Sequence, residues 1–185
     1  MNRSPLTMPI ACTCPLRPDA SVLMFDDIEL AGGKVKAFFD RVKVRDLYDI
    51  SNLAKYFDGV EGEKETLIHR TMLYHASLSA RFPQPFVGRS DRFADRQSEF
   101  EDQLIPMLRQ NGENPTLQEL MADAEDFVKR LILPRTAEDQ EYLDRFANGD
   151  FRPELLFPDQ TMAEAAAKSP EALWKLRNLK KMQRS

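Results

Sequence analysis

From Ile28 onward the apolar positions follow helical spacing. Ile28, Leu30, Val35, Phe38, Phe39 and Val42 predict a helix over 27–42, and Leu47, Ile50, Leu53, Ala54 and Phe57 share one face of a second, ended by Gly59. A third is expected over 63–82, buried through Leu67, Met72, Leu73 and Leu78 and stopped by Pro83 and Pro85. Residues 90–108 read as a polar helix with Phe93, Phe100 and Leu104 inward, ending near Pro106. Thr116 followed by Glu119 is a capping-box signature, with Leu117, Leu120, Met121, Phe127, Val128 and Leu131 behind it. Another helix over 136–147 closes at Gly149, and two short ones follow over 161–168 and 169–182, the last opened by Ser169-Pro170.

The first twenty residues hold Pro5, Pro9, Pro15 and Pro18 without periodicity, so 1–20 are expected to be extended or poorly ordered. Residues 20–25 fit one short strand, and no other long alternating run exists. The expected fold is therefore all-α or nearly so: a bundle of helices in a single domain over 21–185, with at most one short N-terminal strand.

Composition adds limits. The chain has 185 residues, 42% of them hydrophobic, which is enough for a real core. The formal charge of -4 argues against cationic charge spread over the whole surface, yet the charge is local. Residues 34–45 carry Lys34, Lys36, Arg41, Lys43 and Arg45 against Asp40 alone, and a second basic stretch runs from Lys168 to Arg184. Residues 99–126 are acidic, with Arg109 the only cation. Cys12 and Cys14 cannot by themselves complete a four-ligand zinc site, and no metal site is expected from them. No run approaches a membrane span, so a cytoplasmic protein is expected.

The chemistry concentrates in 34–49. Lys34 and Arg41 lie seven residues apart on one helix face, and Asp46 and Asp49 share a face of the next helix, so its first turn can set Asp46 against Arg41 or Lys34. Cations of this kind grip phosphate oxygens, and a carboxylate can hold a proton or a metal ion. A purely structural Arg-Asp network is the competing reading. His69 and His75 lie six apart, off the spacing that brings two ligands together, and are expected to be surface or packing residues. Trp174 reads as a core anchor, and the basic tail from Lys175 to Arg184 as either an RNA contact or a solvated helix end.

The order Glu29-Leu-Ala-Gly-Gly-Lys34-Val-Lys-Ala-Phe-Phe-Asp-Arg41, followed by Arg45-Asp46-Leu-Tyr-Asp49-Ile, resembles the C-terminal motif of the AbiEii/AbiGii-type nucleotidyltransferase toxin family. Glu154-Leu-Leu-Phe157, Ser169-Pro170 and Leu173-Trp174-Lys175 with Asn178 extend the likeness towards the C-terminus. The resemblance implies a nucleoside triphosphate and magnesium as cofactors, membership of a toxin-antitoxin or abortive-infection system, an antitoxin partner, and RNA, including transfer RNA, as a target. It implies catalytic roles for Lys34, on the nucleotide phosphates, and Asp46, in the acidic set, with Arg41, Arg45 and Asp49 tying the two helices together.

That family also carries a Gly-rich turn and a DxD or DxE pair ahead of this motif. Here about twenty-five residues precede it; Gly32-Gly33 before Asp46, and Asp27 with Glu29, only imitate the pattern. The expectation is the helical C-terminal part of such an enzyme, lacking the DxD half. The alternative is a non-catalytic helical module that binds a protein or RNA partner.

Overall fold

The computed structural model describes residues 10–14, 17–24, 26–108 and 114–183. Residues 1–9 and Arg184 of the predicted tail, and the side chains of Cys12 and Cys14, lie outside what it describes. Two strands, β1 (Ile10–Cys14) and β2 (Arg17–Met24), pair antiparallel with Ile10 opposite Met24, so residues 20–24 of the strand expected over 20–25 belong to a hairpin, and Phe25 lies outside the described residues. Everything described after Met24 is helix, turn or loop, and the helical class holds.

Helix α1 (Asp27–Asp40) starts where Asp26 accepts a hydrogen bond from the Ile28 N–H, and it buries Ala31, Gly32, Val35, Phe38 and Phe39. Arg41 then turns extended, so α1 ends at Asp40, two residues short of the predicted Val42. Helix α2 (Val44–Tyr56) follows after Lys43, burying Val44, Leu47 and Ile50. Its N-terminus has no cap from its own flank. Glu99, from a distant segment, accepts weakly from the Val44 N–H at 3.4 Å instead.

Helix α3 (Gly62–Ser77) stops five residues before the predicted Phe82. The chain there breaks into tight turns, and the carbonyls of Ser79, Ala80 and Phe82 converge on the buried ammonium of Lys175 at 2.5, 3.3 and 2.7 Å. A cationic donor satisfies oxygens that a continued helix would have bonded internally.

The polar helix expected over 90–108 is broken into a 3₁₀ turn (Ser90–Phe93), a short α4 (Gln97–Glu99), a π segment (Phe100–Leu104) and a second 3₁₀ turn (Ile105–Met107). Phe93, Phe100 and Leu104 are nonetheless the buried side chains, as their spacing predicts. Holding three widely spaced apolar residues on one core while Pro106 removes a backbone donor favours a change of helical pitch.

Helix α5 (Leu117–Leu131) carries the predicted capping box, with Thr116 and Glu119 bonded reciprocally. Helix α6 (Ala137–Ala147) opens on a second box, Thr136 with Asp139. Helices α7 (Gln160–Lys168) and α8 (Pro170–Met182) meet at Ser169. The core is one cluster joining α1 to α3 and α2 to α5, closed by Tyr142, Phe146, Phe157 and Leu179.

Trp174 does not anchor this core. Helix α8 buries Ala172, Lys175 and Leu179, an i, i+3, i+7 stripe that turns Trp174 outward, 59% exposed. Lys175, expected in the basic tail, is inside.

Candidate nucleotide-phosphate groove

Helical spacing on α1 puts Glu29, Lys34 and Ala37 along one edge of a groove of about 1080 Å³, and Arg41, just past the helix end, continues that edge. Arg45, Asp46 and Asp49 of α2 form the adjoining edge, and Tyr74 and His75 of α3 with Lys168 and Ser169 at the α7–α8 junction close the other side. All five residues singled out from the sequence thus face one space.

Their pairing is specific. Because the chain leaves α1 extended at Arg41, the guanidinium reaches forward over the first turn of α2 and grips Asp46 at two points, Nε to Oδ2 at 2.6 Å and Nη2 to Oδ1 at 2.9 Å. Asp46 is buried while the Arg41 side chain is 59% exposed, so one end of the pair is fixed and the other faces the groove. Hydrogen bonding to Asp46, then its charge, holds Arg41 above its ordinary pKa. Lys34, seven residues earlier, pairs with Asp49 at 2.7 Å. Lys34 and Arg41 are therefore both tied to α2. Arg45 makes no ion pair with any described residue and stays exposed on the rim. Lys168 pairs within its own helix with Glu164, at 3.0 Å.

The floor holds a pair that sequence reasoning did not connect. Glu29 Oε2 and His75 Nε2 are 3.5 Å apart and both sheltered from solvent, and neither ring nitrogen of His75 has a hydrogen-bond partner among the described residues. His75 was expected as surface or packing; it is buried, and it packs directly under Gly32. Nothing in the spacing of single residues announces such a pair, because Glu29 and His75 meet only through the packing of α1 on α3. His69 is also buried, bonded to the Leu131 carbonyl at 3.2 Å and to Asp139 at 3.1 Å.

Asp27 and Glu29 do not act together. Asp27 accepts from the Tyr56 hydroxyl at 2.8 Å, outside the groove, whereas Glu29 points to His75. Among the described residues no three His, Cys, Asp or Glu side chains converge as metal ligands. With Asp46 committed to Arg41 and Asp49 to Lys34, the described donors do not fit a magnesium site.

A helical protein whose motif cations and carboxylates line one groove is what the nucleotidyltransferase resemblance leads one to expect. The family model described as nucleotidyl transferase AbiEii toxin, type IV toxin-antitoxin system, matches residues 3–157, and the chain belongs to that family. The match takes in the groove's α1, α2 and α3 walls and ends at Phe157, so the likeness noted at Ser169 to Asn178 falls outside it. Neither curated proteins nor solved structures give a match. No described helix is long and apolar enough to cross a membrane.

Proposed function

We propose that the groove binds the phosphates of a nucleoside triphosphate for nucleotidyl transfer to an RNA acceptor, as the nucleotide-binding part of a type IV toxin. In such a transfer an acceptor hydroxyl gives up its proton to solvent as its oxygen bonds to the α-phosphorus, the bond from that phosphorus to the bridging β-phosphate oxygen breaks, and pyrophosphate leaves. The protein's contribution to chemistry of this kind is mainly positioning and charge stabilisation. Lys34, Arg41 and Arg45 supply that charge from one side of the groove. Asp49 restrains Lys34 in the resting state and yields it to an incoming phosphate. Asp46, with both oxygens occupied by Arg41, acts through that residue and orients its free N–H groups towards the groove.

The observation that carries this reading is the convergence of Lys34, Arg41 and Arg45 on one groove in a member of a nucleotidyltransferase family. One observation favours the alternative, a non-catalytic helical module: the described carboxylates do not assemble a metal site. Incorporation of labelled nucleotide into RNA, measured for the wild type and for Lys34→Ala, separates the two. Transfer that drops at least about tenfold in the variant supports the proposal, being the loss of one charge-assisted contact. Transfer unchanged in the variant, or none in the wild type with magnesium and all four triphosphates, overturns it.

A further inference from the structure

A second cationic cluster lies away from the groove. Arg89 is buried, 7% exposed, with its guanidinium 5.8 Å from the centre of the Phe39 ring. Among the described residues its Nε–H has no acceptor, and Arg81, Arg89 and Arg92 make no ion pair. Arg89 caps the 3₁₀ turn Ser90–Phe93 and Arg92 lies within it, and because residues three apart in such a turn eclipse one another, both side chains leave the same side. Arg81, from the turns after α3, lies near enough for its charge to act on both. Burial first, and then the charges of Arg81 and Arg92, press the Arg89 guanidinium below its ordinary pKa, and burial first, then Arg81 and Arg96, does the same to Arg92.

The nearby acids do not relieve this. Glu125 accepts from the Ser90 hydroxyl at 3.0 Å, Glu99 faces Lys43 and Arg96, and Asp91 lies exposed without an ion pair to any described residue. An ordinary protein surface surrounds a buried arginine with carboxylate; here mutually repelling guanidiniums share a site without one. Such an arrangement is stable when an oxyanion arrives from outside, and a phosphate matches the planar, multi-donor geometry of guanidinium best.

We infer that Arg81, Arg89 and Arg92 form a phosphate-binding site, separate from the groove, that takes the phosphate of a nucleotide or of a nucleic-acid backbone. The site stands whether or not the groove performs nucleotidyl transfer. The test is a titration of the full chain with sodium phosphate against sodium chloride of equal ionic strength, following the Arg89 Nε–Hε resonance and the melting temperature. The expected result is a saturable shift of that resonance and a rise in Tm specific to phosphate. Both are lost in Arg81→Gln/Arg92→Gln, which leaves the buried Arg89 in place, and both are retained in Lys34→Ala. A 12-nucleotide oligouridylate that competes at lower concentration than phosphate assigns the source to a polynucleotide backbone; competition by uridine monophosphate at equal strength assigns it to free nucleotides. The proposal is overturned if phosphate leaves the resonance unmoved, if the double variant titrates like the wild type, or if polyglutamate competes as well as the oligonucleotide, which would mark an acidic protein partner.

Discussion

Gly32 lies against the His75 imidazole so closely that a β-carbon on it would sit 2.2 Å from Cδ2 and 2.6 Å from Nε2. Both belong to buried positions, so the ring has nowhere to withdraw. In an open helix an alanine for glycine gains up to about 1 kcal/mol, but overpacking of this kind costs about 1–3 kcal/mol. Gly32→Ala should therefore destabilise the protein, while Gly33→Ala, with nothing within 4 Å of its new β-carbon, should stabilise it. Urea denaturation of the two variants side by side gives the signs; a stabilised Gly32→Ala would contradict the close contact.

The Arg41–Asp46 fork should matter more for binding than for stability. Asp46→Asn leaves no stranded buried cation, because Arg41 is mostly exposed and can take water, so about 1 kcal/mol of stability is the expected loss. The freed guanidinium no longer aims at the groove. If the groove holds a triphosphate, the variant weakens its binding well beyond what the small drop in Tm accounts for. Calorimetric titration with ATP and a melting curve on the same sample measure both; equal small effects on each would assign the fork a structural role alone.

Much of this arrangement was legible in the residues themselves. Helical spacing named the inward faces of α1, α2 and α5, and the Thr116–Glu119 box was read from two residue types three apart because the cap chemistry is local. Four of the five groove residues, Lys34 with Arg41 and Asp46 with Asp49, were found for a similar reason, since i, i+7 and i, i+3 spacings place side chains on one face before any tertiary contact forms, while Arg45 came from the family resemblance. What escaped was non-local. Lys175 looked like part of a solvated basic tail, since nothing near it in the chain foretells three carbonyls delivered by the turns after α3. Trp174 was misplaced because size alone argued for the core, while the stripe Ala172, Lys175, Leu179 took that face. The Glu29–His75 contact and the arginine cluster at Arg89 depend on which helices meet, which composition does not determine.

Lys175 offers a pH signature with a definite sign. Burial is the main cause that lowers its pKa from 10.5 to about 8, with nearby Asp40 opposing and Lys36 assisting. Between those values the unfolded chain holds a proton that the folded one has released, so stability rises with pH across that window. Lys175→Met removes this slope and orphans three carbonyls, at a cost of about 2 kcal/mol near neutral pH. Unfolding free energies of both proteins from pH 7 to 10 check it. Parallel curves would show that the ammonium keeps its proton in the fold.

Asp139 should give the opposite dependence, at the acid end. Its carboxylate is fully buried; burial pushes its pKa up, but the Arg135 backbone N–H, His69 and the Thr136 backbone N–H outweigh that and hold it below the ordinary 3.8. Oδ2 receives these donors at 2.9, 3.1 and 3.0 Å, joining the start of α6 to His69 of α3. A depressed carboxylate contributes stability that is complete above the unfolded pKa of about 3.9 and disappears as pH falls through the folded one. Asp139→Asn lacks the charge at every pH, so the wild type should exceed it in stability at pH 6 and the two should converge below about pH 4. Thr136→Ala, which removes only the reciprocal cap, should cost about 1 kcal/mol with no such convergence. A gap between wild type and Asp139→Asn that stays constant from pH 6 to pH 3 would mean that the carboxylate is not the charged centre of this joint.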